Sequence, residues 1–141
     1  EQYYQNLVAR LGLGLENRMT ARIGLFSGGQ RQAVTLLMAT MRRPEVLLLD
    51  EPTAALDPKT AETVLNLVNQ IVTEQKLTTL MITHNMRDAL RLGNRLIMMN
   101  DGKIIADYNA EQKKELTIDM LLRKFEEVTD DVSDRMMLGG K

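Results

Sequence analysis

Ser27-Gly28-Gly29-Gln30 and, further on, Val46-Leu47-Leu48-Leu49-Asp50-Glu51 are the stretches that decide how this chain folds. The first reads as a helix start. Ser27 and Gln30 have the spacing of a capping box, in which the serine hydroxyl accepts from the Gln30 amide and the glutamine side chain reaches back. The second is an unbroken apolar run between Pro44 and Pro52, the pattern of a strand covered on both faces in a parallel sheet. It ends in two acids, at the strand end where ligand crevices open in α/β sheets. A glycine-opened helix start and a buried strand tipped with carboxylates point together to nucleotide chemistry. The usual phosphate cradle, Gly-x-x-x-x-Gly-Lys-Ser/Thr, occurs nowhere in the 141 residues, so the chain reads as part of such a site.

Outward from these stretches, the periodicity predicts a helix over 2–11 stopped by Gly12, then a loop with a short helical turn to Phe26. The helix opened by Ser27 carries Ala33, Val34, Leu37, Met38 and Met41 as its apolar stripe and closes before Pro44. Asp57-Pro58 is a helix start with Asp at the N-cap and Pro at the first position, leading Val64, Leu65, Val68, Ile71 and Val72 along one side. A second strand is expected over 78–83 and a short helix over 87–92. Two strands, 95–99 and 103–106, flank Asp101-Gly102, a strong hairpin signal. This order implies a parallel sheet edged by antiparallel strands. Surface helices follow from Asn109, and 129–141 reads as a flexible tail.

Composition narrows the function classes. A net charge of −1 supplies no basic excess to neutralise phosphates, so no nucleic-acid partner is expected. With no cysteine and one histidine, disulfides, thiolate metal sites and multi-histidine metal sites are excluded. No apolar run exceeds the four residues of Val46–Leu49, far short of the roughly 20 needed to cross a bilayer. Residue 1 is Glu and the chain opens inside a helical pattern, so further sequence upstream is expected.

Adjacent residues of a strand point to opposite sides, so Asp50 and Glu51 can hold different roles. One carboxylate would reach Mg²⁺, usually through water. The other would sit nearer an attacking water as general base, a role contributing about 10²- to 10⁴-fold in rate. Ser27-Gly28-Gly29 offers backbone amides, a hydroxyl and the positive end of a helix dipole to an anion. The dipole adds only ~0.3–1 kcal/mol, so charge-assisted hydrogen bonds of about 1.5–3 kcal/mol each must supply most of the grip.

Leu25-Phe26-Ser27-Gly28-Gly29-Gln30-Arg31-Gln32 resembles the signature motif of ATP-binding-cassette (ABC) ATPases, with Phe26 where that motif usually has Leu. Val46 to Glu51 is similar to their Walker B strand with its catalytic glutamate. Ala54-Ala55-Leu56-Asp57 is similar to their D-loop and Thr83-His84-Asn85 to their switch histidine, all in family order. Residues 79–86 and 92–96 resemble bacterial importer ATPases for small solutes.

The resemblance implies an α/β, P-loop NTPase-like fold with a mostly parallel sheet and flanking helices, lacking its Walker A portion. It implies a C-terminal part of a nucleotide-binding domain over 1–128. Within it, 1–42 would end the helical signature subdomain, 43–108 would hold the Walker B, D-loop and switch-histidine core, and 109–128 would form C-terminal helices. The implied cofactors are ATP and Mg²⁺. Ser27, Gly28, Gly29 and Gln30 would contact the γ-phosphate of the nucleotide held by a second ATPase subunit, a homodimer partner. Asp50 as metal ligand and Glu51 as catalyst would serve the chain's own nucleotide, with His84 at its γ-phosphate and Asp57 linking the two sites. The implied setting is the cytoplasmic face of the cell membrane, beside an integral-membrane permease fed by a solute-binding protein.

Two other readings stand beside ATP-driven uptake: a soluble ABC ATPase outside transport, and a catalytically silent fragment. Gly102-Lys103 reads as a hairpin turn rather than a phosphate-binding pair. The methionines, Met38, Met41, Met98 and Met99 among them, read as core packing. Lys113, Lys114, Arg123 and Lys124 read as a solvated helix face. A sheet lacking its P-loop strand leaves an apolar edge that invites association.

Overall fold

The computed structural model describes residues 2–54 and 56–138, the side chains of 129–138 aside. It divides into two compact units, residues 1–82 and 83–141.

The first unit runs α1 (Gln2–Ala9), two short 3₁₀ turns, α2 (Gly28–Thr40), β1 (Val46–Asp50), α3 (Pro58–Gln75) and β2 (Thr78–Ile82). Strands β1 and β2 pair in parallel, Val46 opposite Thr78 through Asp50 opposite Ile82, so α3 is the crossover of a β-α-β unit. The helix caps are those expected. Ser27 closes a full capping box on α2, and Asp57 accepts from the Thr60 amide at 3.1 Å ahead of Pro58. At the far end of α3, Lys76 is left-handed (φ 51°), its N–H bonding Thr73 O while Leu77 N–H bonds Val72 O at 3.0 Å. The core under the pair joins Leu36 of α2, Leu47 of β1, Val64, Val68 and Ile71 of α3, and Leu77. A second cluster gathers Leu11, Leu15 and Ala33 between α1, the first 3₁₀ turn and α2.

Only one face of β1–β2 is covered. Leu47 lies in the core while Val46 and Leu48, and Leu80 and Ile82 on β2, are exposed. This corrects the expectation of a strand buried on both faces: α2 and α3 pack on a single side, and alternation sends every second residue outward. The stripe of α2 is also shifted. Leu36 and Thr40 are buried with Ala33, whereas Met38 and Met41 are exposed, as is Met99, so these methionines are not core packing.

The second unit holds α4 (Met86–Arg91), β3 (Leu96–Asn100), β4 (Lys103–Tyr108), α5 (Ala110–Lys114) and α6 (Ile118–Leu138). Asp101 and Gly102 both take positive φ, 50° and 71°, as a two-residue hairpin of primed type requires. The antiparallel register slips between Met98 and Met99, leaving Ile105 as the extra residue of a bulge. Leu96, Met98 and Leu121 form the core, with Leu90, Leu116 and Phe125 against it. The strands form two separate two-stranded sheets among the described residues rather than one sheet with an antiparallel edge. Helix α6 continues past the expected boundary at 128 to Leu138, and 139–141 of the expected tail lie outside the described residues.

Lys113 corrects another expectation. It is buried, with Nζ donating to Leu92 O and, at 2.9 Å, to Gly93 O, so it caps the C-terminal end of α4 instead of facing solvent. Burial pushes its ammonium below the usual lysine value.

Candidate functional site

A helix start carries four backbone N–H groups without an intrahelical acceptor. At α2 the capping box takes two of them: Ser27 N–H donates to Gln30 Oε1 at 3.0 Å and Gln30 N–H to Ser27 Oγ at 3.2 Å. The amides of Gly28 and Gly29 remain as the two donors a bound anion could take. Ser27 and Gly28 are exposed. The turn is braced from behind, as Arg31 Nη1 donates to Phe26 O at 2.6 Å and the Arg18 guanidinium sits 5.0 Å from the Phe26 ring centroid. Gln30 Nε2 also reaches Leu13 O at 3.4 Å.

Gly29 is glycine for a reason the sequence did not show. It is buried against α3, where a β-carbon would lie 1.9 Å from Thr60 Cγ2; a β-carbon on Gly28 would meet Leu56 Cδ2 at 3.4 Å. Asp57, three residues ahead of Thr60, is exposed, and Thr60 holds its carboxyl below the usual aspartate value, mainly through the side chain and then through the backbone amide. The signature turn and Asp57 are therefore neighbours. Ala55 of the D-loop stretch lies outside the described residues.

Asp50 is the last residue of β1 and is exposed. Glu51 continues the ladder by one bond, its N–H donating to Ile82 O at 3.0 Å, and then leaves the strand with φ 45°. A left-handed non-glycine residue costs of order 1–3 kcal/mol and is held there by its surroundings. Here these are the Ile82 bond, a turn closed by Ala54 N–H on Glu51 O at 3.2 Å, and buried Pro52. The strand thus ends abruptly, with a half-buried carboxylate beside an open one.

His84 follows β2 by two residues and is exposed. Its neighbours are fixed: Asn85 N–H donates to Thr83 Oγ1 at 3.1 Å, and Asn85 Oδ1 caps α4 by accepting from Arg87 and Asp88 amides at 3.0 and 3.3 Å. The Ser27–Gln30 turn, Asp50, Glu51 and Asp57 belong to one unit and His84 to the other.

Among the described residues no three acidic or histidine side chains converge as a metal cage. A single open carboxylate at a strand end suits magnesium, which keeps waters and takes phosphate oxygens as its remaining ligands. Sequence reasoning found the Ser27 and Asp57 caps and the two acids; it missed the Asn85 cap, and also Thr60 and Lys113, whose roles depend on contacts between elements.

The family model of ABC transporters matches residues 1–54. The tyrosine transport ATP-binding protein of Clostridioides difficile is 44% identical over 122 residues, covering 86% of this chain and 49% of that protein. The thiamine import ATP-binding protein ThiQ of Salmonella typhimurium is 47% identical over 92 residues, 65% of this chain and 39% of that protein. A dimeric ATP-binding cassette in a post-hydrolysis state bound to ADP and phosphate superposes with a TM-score of 0.61 at 30% identity, over 74% of this chain and 44% of that one. The chain spans about half the length of the curated relatives it matches, or less. Sequence identity across most of the chain and a shared α/β cassette architecture agree: the chain belongs to the ATP-binding-cassette ATPases.

Proposed function

We propose that the chain is part of the ATP-binding and ATP-hydrolysing subunit of an ABC transporter that takes up a small solute. The observation that carries this reading is the end of β1, where Asp50 is open and Glu51 is turned out of the strand in a left-handed conformation held by its neighbours. Asp50 would hold Mg²⁺ with ATP, and Glu51 would accept a proton from the attacking water. Ser27 Oγ, the Gly28 and Gly29 amides and Gln30 would contact the γ-phosphate of the nucleotide on a second subunit, with the Gln30 side chain also holding the turn in shape. His84 would contact the γ-phosphate of the chain's own nucleotide, and Asp57 would link the two sites. When bound, magnesium supplies charge neutralisation at the phosphates.

Uptake is supported by the two relatives, one named for tyrosine transport and one for thiamine import. A homodimer is supported by the dimeric cassette. No described helix is long and apolar enough to cross a membrane. In this reading the chain is held at the cytoplasmic face by a permease, and the solute-binding protein acts through that permease.

The test is Glu51→Gln in an ATPase that joins this chain to a Gly-Lys-Ser/Thr loop segment. Mg-ATP binding should persist while hydrolysis falls by about 10²- to 10⁴-fold. Equal loss of binding and hydrolysis would overturn the assignment. The 141 residues alone should show no hydrolysis above background.

A further inference from the structure

We propose that Thr60 is a positioning residue that ties the Ser27-Gly28-Gly29 turn to the Asp57 carboxylate, so that the two helix starts respond as one piece. The inference rests on the roles proposed above for Gly29 and Asp57.

Gly29 is the second residue of α2 and Thr60 the third of α3. A β-carbon on Gly29 would come within 1.9 Å of Thr60 Cγ2 and 3.4 Å of Thr60 Cβ, so the threonine methyl rests directly on the backbone of the signature turn. On its other side, Thr60 N–H donates to Asp57 Oδ1 at 3.1 Å. The Thr60 side chain is also the first cause of the lowered Asp57 value. Thr60 thus meets Gly29 through its methyl and Asp57 through its backbone N–H.

Threonine makes the link stiff. Two heavy atoms on Cβ leave few χ1 positions in a helix, so the methyl has little room to turn away from Gly29, and Thr60 itself must shift, with the amide that holds Asp57. A shift of the turn toward α3 must therefore either loosen the Asp57 carboxylate or carry α3 with it. Contacts of this kind transmit a displacement because packed neighbours have few alternative arrangements. A turn that approaches the partner subunit's nucleotide is thereby joined to the residue assigned to the contact between sites.

The experiment follows the Asp57 carboxyl by NMR titration of the whole chain, together with thermal unfolding. Gly29→Ala should lower the unfolding midpoint and move the Asp57 titration toward the ordinary aspartate value. In a Thr60→Ser background the methyl is gone and the hydroxyl kept, so both effects should shrink by more than half. Equal effects in the two backgrounds would overturn the link. Where Gly29→Ala does not fold, the single substitutions decide. Thr60→Val should raise the Asp57 titration midpoint, and Thr60→Ser should leave it low while shifting the Gly28 and Gly29 amide resonances. An unmoved Asp57 in Thr60→Val would sink the proposal, and a purely structural Thr60 would change unfolding alone. None of these readouts involves nucleotide. Their failure leaves the site roles standing, and failure of the Glu51→Gln test leaves the link standing.

Discussion

Leu48 and Leu80 stand opposite each other in the β1–β2 register, and both turn to solvent, 70% and 54% exposed. Val46 and Ile82, both 54% exposed, extend the same face. One residue away, Leu47 is 6% exposed among Leu36, Val64 and Val68. A strand that looks uniformly apolar in sequence therefore has two unequal faces.

Substitution should expose that inequality. Leu47→Ala is expected to cost about 2–5 kcal/mol, the range for truncating a packed core leucine. Leu48→Ala should stay within about 0.5 kcal/mol. Urea unfolding of the two variants checks this, and equal losses would mean that both faces are covered. The bare face should also make the chain associate as concentration rises. Sedimentation should show less association for Leu48→Glu combined with Leu80→Lys, which replaces the apolar pair with opposite charges.

Lys76 ends α3 with φ 51°, a conformation that glycine adopts without steric cost. Its N–H bonds to Thr73 O, and the following Leu77 N–H to Val72 O, so the left-handed geometry itself is required. Lys76→Gly should stabilise the chain by about 1 kcal/mol, the cost of forcing a side chain into that region. A lower unfolding midpoint in this variant would show that the lysine side chain contributes more than its backbone strain costs.

What was legible in the sequence is what a residue does to its own few neighbours along the chain. Ser27 with Gln30, Asp57 with Pro58, Asp101-Gly102 and Gly12 each fixed a cap or turn where the structure has one, because those effects act over one to four residues. The succession of strands and helices along the chain and the two acids at the tip of β1 were legible for the same reason, whereas the assembly of the strands into two sheets instead of one was not. What was hidden depends on which elements meet. The one-sided burial of Leu47, the shift of the α2 stripe to Leu36 and Thr40, and the pressing of Thr60 on Gly29 follow from α2 and α3 packing together on the sheet. The left-handed Glu51 was also hidden, since nothing in a glutamate before proline favours φ of 45°.

Asp57 gives the first unit a pH dependence of known sign. Its folded value is depressed, first by the Thr60 side chain and then by the Thr60 amide. The unfolded chain therefore binds the proton more readily, and stability rises with pH through that window. The contribution is complete above the ordinary aspartate value of about 3.9 and is lost as pH falls through the lower folded value. Asp57→Asn keeps a good N-cap but cannot titrate. Its unfolding midpoint should match the parent's least well near neutrality and converge on it in acid; parallel curves down to the acid limit would contradict the shift.

Lys113 holds the second unit by a different device, its ammonium closing the α4 end through Leu92 O and Gly93 O. Lys113→Met keeps the aliphatic stem in place and removes the donors, leaving two helix-end carbonyls short of a partner at about 1–3 kcal/mol. Lys114→Met, at an exposed neighbour on the same helix, is the control and should change little. The pH sign also differs from that of Asp57. Burial lowers the folded value of Lys113, so around the ordinary lysine value of about 10.4 the unfolded chain binds the proton more fully than the folded chain does. Stability then rises with pH across that window. The gap between parent and Lys113→Met should accordingly widen as the solution is made alkaline, read by urea unfolding at successive pH values. A gap that closes instead would mean that the charged form is the one the α4 carbonyls stabilise.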